Sequence, residues 1–276
     1  MSETEFRPVE RIAGDPAGGL LLLCDHASSA LPPEYGDLGL PPAAFRRHIA
    51  YDIGAAGVTR RLAAALGAPA ALTTFSRLLI DPNRGLDDPT LVMKLSDGAI
   101  VPGNAGADSV EIARRVERFW RPYRDAIGQE TAAIEAKGVV PAILSIHSFT
   151  PAWKGAPRPW KAAILWDDDP RFNETLIAAL RAEPDLGGSD DVGDNQPYDG
   201  AQEGDTIHEA ATMRGFPSSL IEIRQDLIAD DVGQAAWAGR LARILKPILA
   251  DPALRAPRPI TTRTKGRGRA FDTSHR

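Results

Sequence analysis

The sequence contains a single cysteine, and this scarcity excludes the sites that need several thiols. Cys24 is the one cysteine among 276 residues, so an intramolecular disulfide framework and a cysteine-based metal cluster are both excluded. A metal site in this chain must therefore use histidine, aspartate and glutamate side chains. Only five histidines are present, which leaves few candidates for an imidazole ligand.

Long apolar runs are also missing, and the first residues do not have the pattern of a secretory signal. No stretch approaches the roughly 20 apolar residues that cross a bilayer. The first residues, MSETEFRPVERIAG, carry acidic side chains where a secretory signal is basic and then apolar. We therefore expect a cytoplasmic protein without a membrane partner. The net charge of -5 argues against a general nucleic-acid binder and leaves the oligomeric state open.

Length and composition predict one folded domain followed by a tail. Hydrophobic residues make up 43% and charged residues 25% of the chain, values that exclude a disordered protein. A chain of this length is near the upper size for one hydrophobic core, so residues 1–254 are predicted to form a single domain. Residues 255–276 are basic, rich in Pro, Gly and Thr, and without apolar periodicity. They are predicted to be a flexible tail.

Short aliphatic runs alternate with helical patterns, and this alternation predicts an α/β fold with a mostly parallel sheet flanked by helices. The predicted strands are residues 19–24, 71–80, 142–147, 162–166 and 218–223. Helices are predicted over residues 43–66, after Asp108, and over residues 231–249. Asp108 and Glu111 have the spacing of a capping box, and Pro122 is expected to kink or divide that helix.

Two histidines lie at the ends of predicted strands. His26 follows the first strand in LLLLCDHASS, and His147 ends another in AILSIHSF. Ligands of open α/β sheets bind outside the carboxyl ends of the strands, so both imidazoles are expected in one crevice. One such histidine alone would favour a structural role. Two of them favour a catalytic zinc (Zn²⁺) site, which uses three protein ligands and one open position for water.

The third ligand is less certain from the sequence, because Ser29 stands where a His-x-x-Glu motif has its glutamate. Asp52 is the best replacement, since it is predicted on the apolar face of a helix and a buried carboxylate needs a compensating cation or hydrogen bonds. A salt bridge between Asp52 and Arg77 explains its burial equally well. His48 is a competitor, but its arginine-rich neighbourhood favours a solvated position.

Glu222 stands between two isoleucines in the apolar segment SSLIEIRQDLI. Strand alternation places its side chain on the face opposite Ile221 and Ile223, in a strand that should be largely buried. A carboxylate whose pKa is raised by burial suits a general base that takes a proton from metal-activated water. The alternative is a salt bridge with Arg224, although residues two apart on a strand are poorly placed for a close pair.

Arginines supply the predicted contacts with substrate. In SRLLIDPNR, Arg84 is predicted to bind a substrate carboxylate in a bidentate way, with Asn83 hydrogen-bonded to the same group. A surface salt bridge is the alternative for Arg84. Arg77 is predicted to stabilise the developing oxyanion, and Arg224 is a further cation for a dicarboxylate. His208 is predicted to donate a proton or contact an anion, or to support another ligand.

The segments CDHASSALP, DPNR, SIHSF, DNQPYDG and HEAATMRGFPSSLIEIRQDLI together resemble the N-formylglutamate amidohydrolase family, which is related to zinc carboxypeptidases and aspartoacylase-like deacylases. The resemblance covers residues 19–249. It implies a three-layer α/β/α fold around a mixed sheet, similar to phosphorylase and zinc peptidase domains. It also implies that His26 and His147 are the first and last zinc ligands and that Glu222 is the general base.

The activity implied by this resemblance is zinc-dependent hydrolysis of the amide in an N-formyl or other N-acyl amino acid, such as N-formylglutamate. A carboxypeptidase, or a deacylase acting on other N-acyl amino acids, stays open. So does a non-catalytic anion-binding relative, because the His-x-x-Glu spacing is absent. A serine hydrolase using Ser28 or Ser148 is disfavoured, since the sequence has no Gly-x-Ser-x-Gly elbow.

Overall fold

A computed structural model describes residues 6–256 and 258–264, which fold around a seven-stranded sheet. The strands of this sheet are β1 (Val9–Ile12), β2 (Leu20–Cys24), β3 (Ala70–Thr73), β6 (Ala142–Phe149), β9 (Ala162–Leu165), β10 (Val192–Asp194) and β11 (Ser218–Arg224). Two short hairpins lie outside it: β4 (Leu95–Ser96) with β5 (Ala99–Ile100), and β7 (Ala152–Trp153) with β8 (Ala156–Pro157).

The strand order in the sheet is β1-β3-β2-β6-β11-β9-β10. The central strands β3, β2, β6 and β11 are parallel, whereas β1 and β9 run antiparallel to their inner neighbours. The sheet is therefore mixed and mostly parallel, and the predicted α/β class is confirmed. Because β2, β6 and β11 are parallel neighbours, their carboxyl ends meet at one edge of the sheet.

Helices cover both faces of the sheet and complete three layers. They are α1 (Ala55–Leu66), α2 (Pro102–Ala105), α3 (Ser109–Arg115), α4 (Arg121–Glu135), α5 (Pro170–Arg181), α6 (Thr206–Ala210) and α7 (Asp231–Ala250). One core contains Leu22 with residues of α1, α5 and α7, and another contains Leu21 and Leu23 with residues of α4 and α6. The run LLLLC of β2 is apolar throughout because both of its faces are buried.

The helix predicted after Asp108 begins as expected. The Asp108 side chain accepts hydrogen bonds from the backbone nitrogens of Val110 and Glu111. A π-helical segment, Val116–Trp120, then joins α3 directly to α4. Pro122 follows this segment in the first turn of α4. The expected disturbance at Pro122 therefore takes the form of a π-helical turn within a helix that continues.

The prediction of a helix over residues 43–66 is wrong for the first half of that range. That region contains a 3-10 turn, Ala44–Arg46, and α1 begins only after Gly54. Gly54 has a φ of 82°, and a Cβ there would lie 2.0 Å from the carbonyl oxygen of Ile228. The left-handed backbone of Gly54 separates the residues before it from the helix, which begins only after this close approach. As a result, Asp52 precedes the helix and does not belong to its apolar face.

The strand predicted over residues 71–80 is also too long, because β3 ends at Thr73. Beyond it, the backbone nitrogen of Ser76 donates to the carbonyl oxygen of Ala30, and that of Arg77 donates to Ala50. These hydrogen bonds go to loops and not to a neighbouring strand, so the chain turns away from the sheet. Arg77 consequently lies on this turn, above the edge where the central strands end.

The chain at the predicted start of the tail packs against the domain. Arg255 ends a 3-10 helix, Pro252–Arg255, and its guanidinium donates to the carbonyl oxygens of Gly19 and Val140. Residues 257 and 265–276 of the predicted tail lie outside the described residues, so the division at residue 254 stays a prediction. None of the helices in the described ranges combines the length and apolarity that crossing a bilayer requires.

Candidate active site

A cleft opens at the edge of the sheet where the central parallel strands end. Most of the residues predicted from sequence to form the site line this cleft, and they are His26, Asp52, Arg77, Asn83, Arg84, His147 and Glu222. His208 and Arg224 are not among the lining residues. The strands thus bring together residues that are far apart in the chain.

The three predicted metal ligands form a buried cluster. His26, Asp52 and His147 each present a ligand atom, and these atoms lie within 4.8 Å of one another. Asp52 Oδ2 is 2.8 Å from His147 Nδ1 and 3.4 Å from His26 Nδ1. Asp52 Oδ2 therefore faces the Nδ1 atom of each imidazole.

The Nε2 atom of each imidazole faces a further buried carboxylate, a different one for each ring. His26 Nε2 lies 2.7 Å from Asp81 Oδ1, and His147 Nε2 lies 2.8 Å from Asp25 Oδ2. A carboxylate that accepts the Nε2 proton leaves the Nδ1 lone pair available. Metal-ligating histidines are commonly oriented by such a carboxylate. Two imidazoles and one carboxylate are also a donor set that zinc accepts, so these residues fit a zinc ion.

The charges around the cluster also favour a cation. Burial by itself lowers the pKa of His147, but its hydrogen bonds with Asp25 and Asp52 outweigh burial and hold this pKa well above the usual value. For Asp52 the signs are opposite: burial by itself raises the pKa of the carboxyl, but the two imidazoles outweigh burial and lower this pKa below its usual value. The buried carboxylates thus stabilise positive charge at the imidazoles. A bound divalent metal would supply this charge in place of protons.

Asp52 contacts both the histidines and Arg77. Its Oδ1 lies 3.7 Å from Arg77 NH1, while its Oδ2 faces the imidazoles. Arg77 also donates from Nε and NH2 to Asp81 Oδ2, at 3.1 Å and 2.6 Å. The salt bridge considered as an alternative for Asp52 therefore coexists with the histidine contacts, because the two use different oxygens.

Glu222 lies beside His147 on the same face of the sheet. The two residues are paired in the register of the parallel strands β11 and β6. The Glu222 side chain is 8% exposed and its Oε2 has no hydrogen-bond partner among the described residues. Burial raises the pKa of this carboxyl to about 7. Arg224, the alternative partner, forms an ion pair with Asp226 at 2.8 Å.

Asn83 and Arg84 line the cleft and form hydrogen bonds with residues 202 and 206. Arg84 NH1 donates to Gln202 Oε1 at 2.9 Å. Asn83 Oδ1 accepts the backbone nitrogen of Thr206 at 2.9 Å, and the Asn83 backbone nitrogen donates to Asp81 Oδ1. Asn83 therefore joins the turn after Arg77 to the start of α6, and the guanidinium of Arg84 remains beside the cleft.

His208 lies in α6 behind the wall of the cleft. Its Nδ1 accepts a hydrogen bond from the backbone nitrogen of Gly204 at 3.3 Å. Its own backbone nitrogen donates to Asp205, the N-cap residue of α6. Asp205 lines the cleft, and burial raises the pKa of its carboxyl to about 7. In this structure it is therefore Asp205 that faces the cleft from α6.

Two residues weighed in the sequence as alternatives also line the cleft. His48 Nε2 lies 3.5 Å from the Asp97 carboxylate, outside the cluster of His26 and its partners. Ser148 donates from its hydroxyl to the carbonyl oxygen of Ile53 at 2.9 Å. The Ser148 hydroxyl thus bonds to a backbone carbonyl and not, as a serine nucleophile would, to a histidine base.

Arg158, which no sequence pattern indicated, lies at the cleft wall with 9% exposure. Its NH2 donates to the Tyr198 hydroxyl at 2.7 Å. Its guanidinium carbon lies 5.1 Å from the centre of the Tyr198 ring and 5.6 Å from the centres of the Phe149 and Trp153 rings. The segment DNQPYDG, which contains Tyr198, was the available signal, but no local pattern connects it with Arg158.

Asp25 was missed as well, although it directly precedes His26 in the sequence. Strand alternation alone does not reveal that its carboxylate reaches His147 on the neighbouring strand. The Ser145 hydroxyl also donates to Asp25 Oδ2, at 2.7 Å. Asp25 is fully buried, so its position depends on contacts between β2 and β6.

Comparison with known proteins gives a family match and similar folds. The family model described as N-formylglutamate amidohydrolase matches residues 18–229, a range that includes all the cleft residues discussed above. The gene product Atu2144 from Agrobacterium tumefaciens is 33% identical, with 90% of this chain and 97% of that chain covered and a TM-score of 0.82. No protein with a curated description matches the chain.

A second solved structure, an N-formylglutamate amidohydrolase from Ralstonia eutropha JMP134, is 22% identical. The alignment covers 88% of this chain and 97% of that chain, with a TM-score of 0.62. At this identity the likeness concerns the fold. It agrees with the mixed, mostly parallel sheet and its surrounding helices.

Proposed function

This chain belongs to the N-formylglutamate amidohydrolase family, and we propose that it is a zinc-dependent hydrolase of the amide bond in an N-formyl or other N-acyl amino acid. One observation carries the proposal. Two imidazoles, each oriented by a buried carboxylate, face one oxygen of Asp52 beside Glu222, whose Oε2 is without a partner in the described structure. Membership of the family supports hydrolysis of an amide.

His26, Asp52 and His147 are the residues that would hold the metal. A zinc ion bound there supplies Lewis-acid chemistry, because it lowers the pKa of a water molecule and polarises the acyl carbonyl. Asp81 and Asp25 accept the Nε2 protons of the two histidines, so each Nδ1 remains a donor of electrons. Burial of the three side chains excludes bulk water from competing for them.

Glu222 is proposed as the general base. Its Oε2 takes a proton from the attacking water and returns it to the leaving nitrogen, which then departs as an amine. A carboxylate with a pKa of about 7 is suited to both transfers near neutral pH. Arg77, held in place by Asp81 and Asp52, stabilises the negative charge that develops on the acyl oxygen.

Two arginines are proposed to bind the substrate's anionic groups. Arg84, together with Asn83, binds the α-carboxylate and sets the position of the scissile amide. Arg158 contributes the second cation that a dicarboxylate substrate requires. Arg224 is not included, because its guanidinium is paired with Asp226 and is not part of the cleft lining.

The test is a substrate panel of N-formyl, N-acetyl and N-succinyl amino acids together with dipeptides, assayed with metal analysis of the purified protein. We expect about one zinc per chain, hydrolysis of N-acyl amino acids, and loss of activity on chelation that added zinc restores. Hydrolysis of dipeptides alone would instead indicate a carboxypeptidase. A protein that binds neither zinc nor another divalent metal would contradict the proposal and favour an anion-binding relative.

A further inference from the structure

The basic C-terminal segment, defined here as residues 258–264, lies against one wall of the cleft. Arg263 donates from NH2 and NH1 to the two carboxylate oxygens of Asp199, at 2.9 Å and 3.2 Å. The same guanidinium donates to the carbonyl oxygens of Trp166 and Asp167, at 2.7 Å and 2.6 Å. Arg263 therefore joins Asp199 to the chain that follows β9.

Asp199 belongs to the cleft loop, residues 195–202, which holds both substrate arginines. The Tyr198 hydroxyl accepts from Arg158 at 2.7 Å, and Gln202 Oε1 accepts from Arg84 at 2.9 Å. Asp199 stands between these two residues, and its carbonyl oxygen accepts from Gln202 Nε2 at 3.0 Å. A displacement of Asp199 would therefore reach both partners of the arginines.

The inner and outer edges of the cleft loop are held in different ways. Inside, Asn195 Oδ1 accepts the backbone nitrogens of Trp166 and Gly200 at 2.9 Å and 3.0 Å. A Cβ at Gly200 would lie 2.1 Å from the Trp166 nitrogen, so the loop packs closely against the end of β9. Outside, the Asp199 side chain is 59% exposed; it accepts a hydrogen bond from the backbone nitrogen of Ala201 within the loop, and the bidentate pair with Arg263 joins it to the basic C-terminal segment.

We propose that Arg263 is a positioning residue, which holds the cleft loop so that Tyr198 and Gln202 keep Arg158 and Arg84 directed into the cleft. The inference rests on the proposed function for the identity of the ligand that the two arginines bind. Arg263 acts on substrate binding and not on the chemical step. The hydrogen bonds of its guanidinium go to the Asp199 carboxylate and to the carbonyl oxygens of Trp166 and Asp167, and its backbone nitrogen donates to the Asp167 carboxylate.

The first arm of the test compares two arginines of the same segment. The Arg258 guanidinium donates to Asp169 Oδ1 at 3.1 Å and to the carbonyl oxygen of Asp168 at 2.9 Å. Because these partners lie outside the cleft loop, Arg258 is a matched control. We expect Arg263→Ala to raise KM for an N-acyl amino acid by about threefold to fivefold with kcat within about twofold, as suits a half-exposed ion pair. Arg258→Ala should change neither constant.

Exchanging the charges provides the rescue. Asp199→Arg alone should raise KM at least as much as Arg263→Ala, because like charges then face each other. Combining Asp199→Arg with Arg263→Asp should return KM toward the wild-type value. A double variant no better than the worse single variant would overturn the proposal, as would a loss expressed in kcat.

Hydrogen exchange of residues 195–202 provides a readout that does not depend on activity. We expect faster exchange of the cleft loop in Arg263→Ala and unchanged exchange in Arg258→Ala. Unchanged exchange in Arg263→Ala, or faster exchange with an unchanged KM, would overturn the positioning role. If the wild-type protein hydrolyses no N-acyl amino acid, the proposed function fails, and the exchange arm still decides whether Arg263 holds the loop.

Discussion

The cleft has two regions that are built differently: the histidine cluster at its floor and the arginines at its walls. His26 and His147 are buried at strand ends, and each is held by a carboxylate that is itself fully buried. Arg84 and Arg158 are held instead by side chains of the cleft loop, one of which, Tyr198, is 41% exposed. His147 and Glu222 thus lie on strands of the sheet and His26 lies directly after one, whereas the groups proposed for substrate recognition depend on a loop.

This difference predicts two kinds of response to mutation. Removing a group at the floor leaves buried partners without their hydrogen bonds and eliminates an essential step, so the losses should be large. Removing a group at the walls changes a contact that water can partly replace, so the losses should be graded and selective for substrate.

The largest effect is expected for His147→Ala. A site with three protein ligands rarely retains its metal after losing one, so zinc content and activity should both fall to near background. His208→Ala is the matched control, because this histidine does not line the cleft. Metal analysis and activity of the two purified variants make the comparison. Full zinc content in His147→Ala would remove His147 from the ligand set.

Glu222→Gln should affect the chemical step without affecting the metal. The amide keeps the shape of the side chain but cannot accept a proton, so kcat should fall by about a hundredfold or more. Zinc content should stay near wild type, and KM should move little because the arginines make the ground-state contacts. Steady-state kinetics and metal analysis test this. Loss of zinc in this variant would make Glu222 a ligand and would assign proton transfer to another group.

Arg84→Ala should produce a smaller and selective loss at the wall. KM for an N-acyl amino acid should rise by about tenfold or more, whereas KM for its α-carboxamide should change little, because only the acid offers a carboxylate to the guanidinium. Arg224→Ala, an arginine paired outside the cleft lining, is the control and should alter neither value. Equal losses on both substrates would show that Arg84 supports the fold or the oxyanion.

The smallest effect concerns stability, at Asp205 in the buried part of the wall. Burial raises its pKa from 3.8 to about 7, so the folded protein keeps a proton that the unfolded chain releases above about pH 4. The contribution of this proton to the free energy of unfolding is fully present below about pH 4, and it is lost as the pH rises through about 7. Asn at this position retains an acceptor for the His208 nitrogen and cannot ionise.

Asp205→Asn should therefore stabilise the metal-free protein relative to wild type, and the gain should be larger at pH 8 than at pH 5 by about 2 to 3 kcal/mol. Urea unfolding at the two pH values measures this difference. Asp199→Asn, at an exposed carboxylate, should show no such increase with pH. A gain that is equal at both pH values would mean that the Asp205 carboxyl is ionised in the folded protein throughout this range.

Local periodicity was sufficient for several strand positions. His26 and His147 stand at the carboxyl ends of apolar runs that form β2 and β6, and Glu222 alternates with Ile221 and Ile223 in β11. The two isoleucines lie in the core with α1 and α7, and Glu222 faces the cleft. A period of two residues is a property of neighbouring residues alone, so the sequence displays it directly.

Positions that depend on distant contacts were harder to predict. Asp52 was expected on a helix and Arg77 on a strand, and both lie on turns. The helix is prevented by the close approach of Gly54 to the carbonyl oxygen of Ile228, and the strand ends where Ser76 binds Ala30. Such partners leave no periodic signal near the residue that they affect. Asp52 was therefore proposed as a metal ligand for a local reason that the structure does not support, and its role stays a prediction.

By itself, the sequence determined the α/β class, the burial of the central strands and the strand-end positions of two histidines, because these follow from apolar patterns read over a few residues. Only the tertiary structure decided that Asp25 and Asp81 orient those histidines, that one oxygen of Asp52 faces both, and that Arg158 lines the wall. The physical reason is distance along the chain. A hydrogen bond between residues of separate elements exists only after the sheet has brought those elements together.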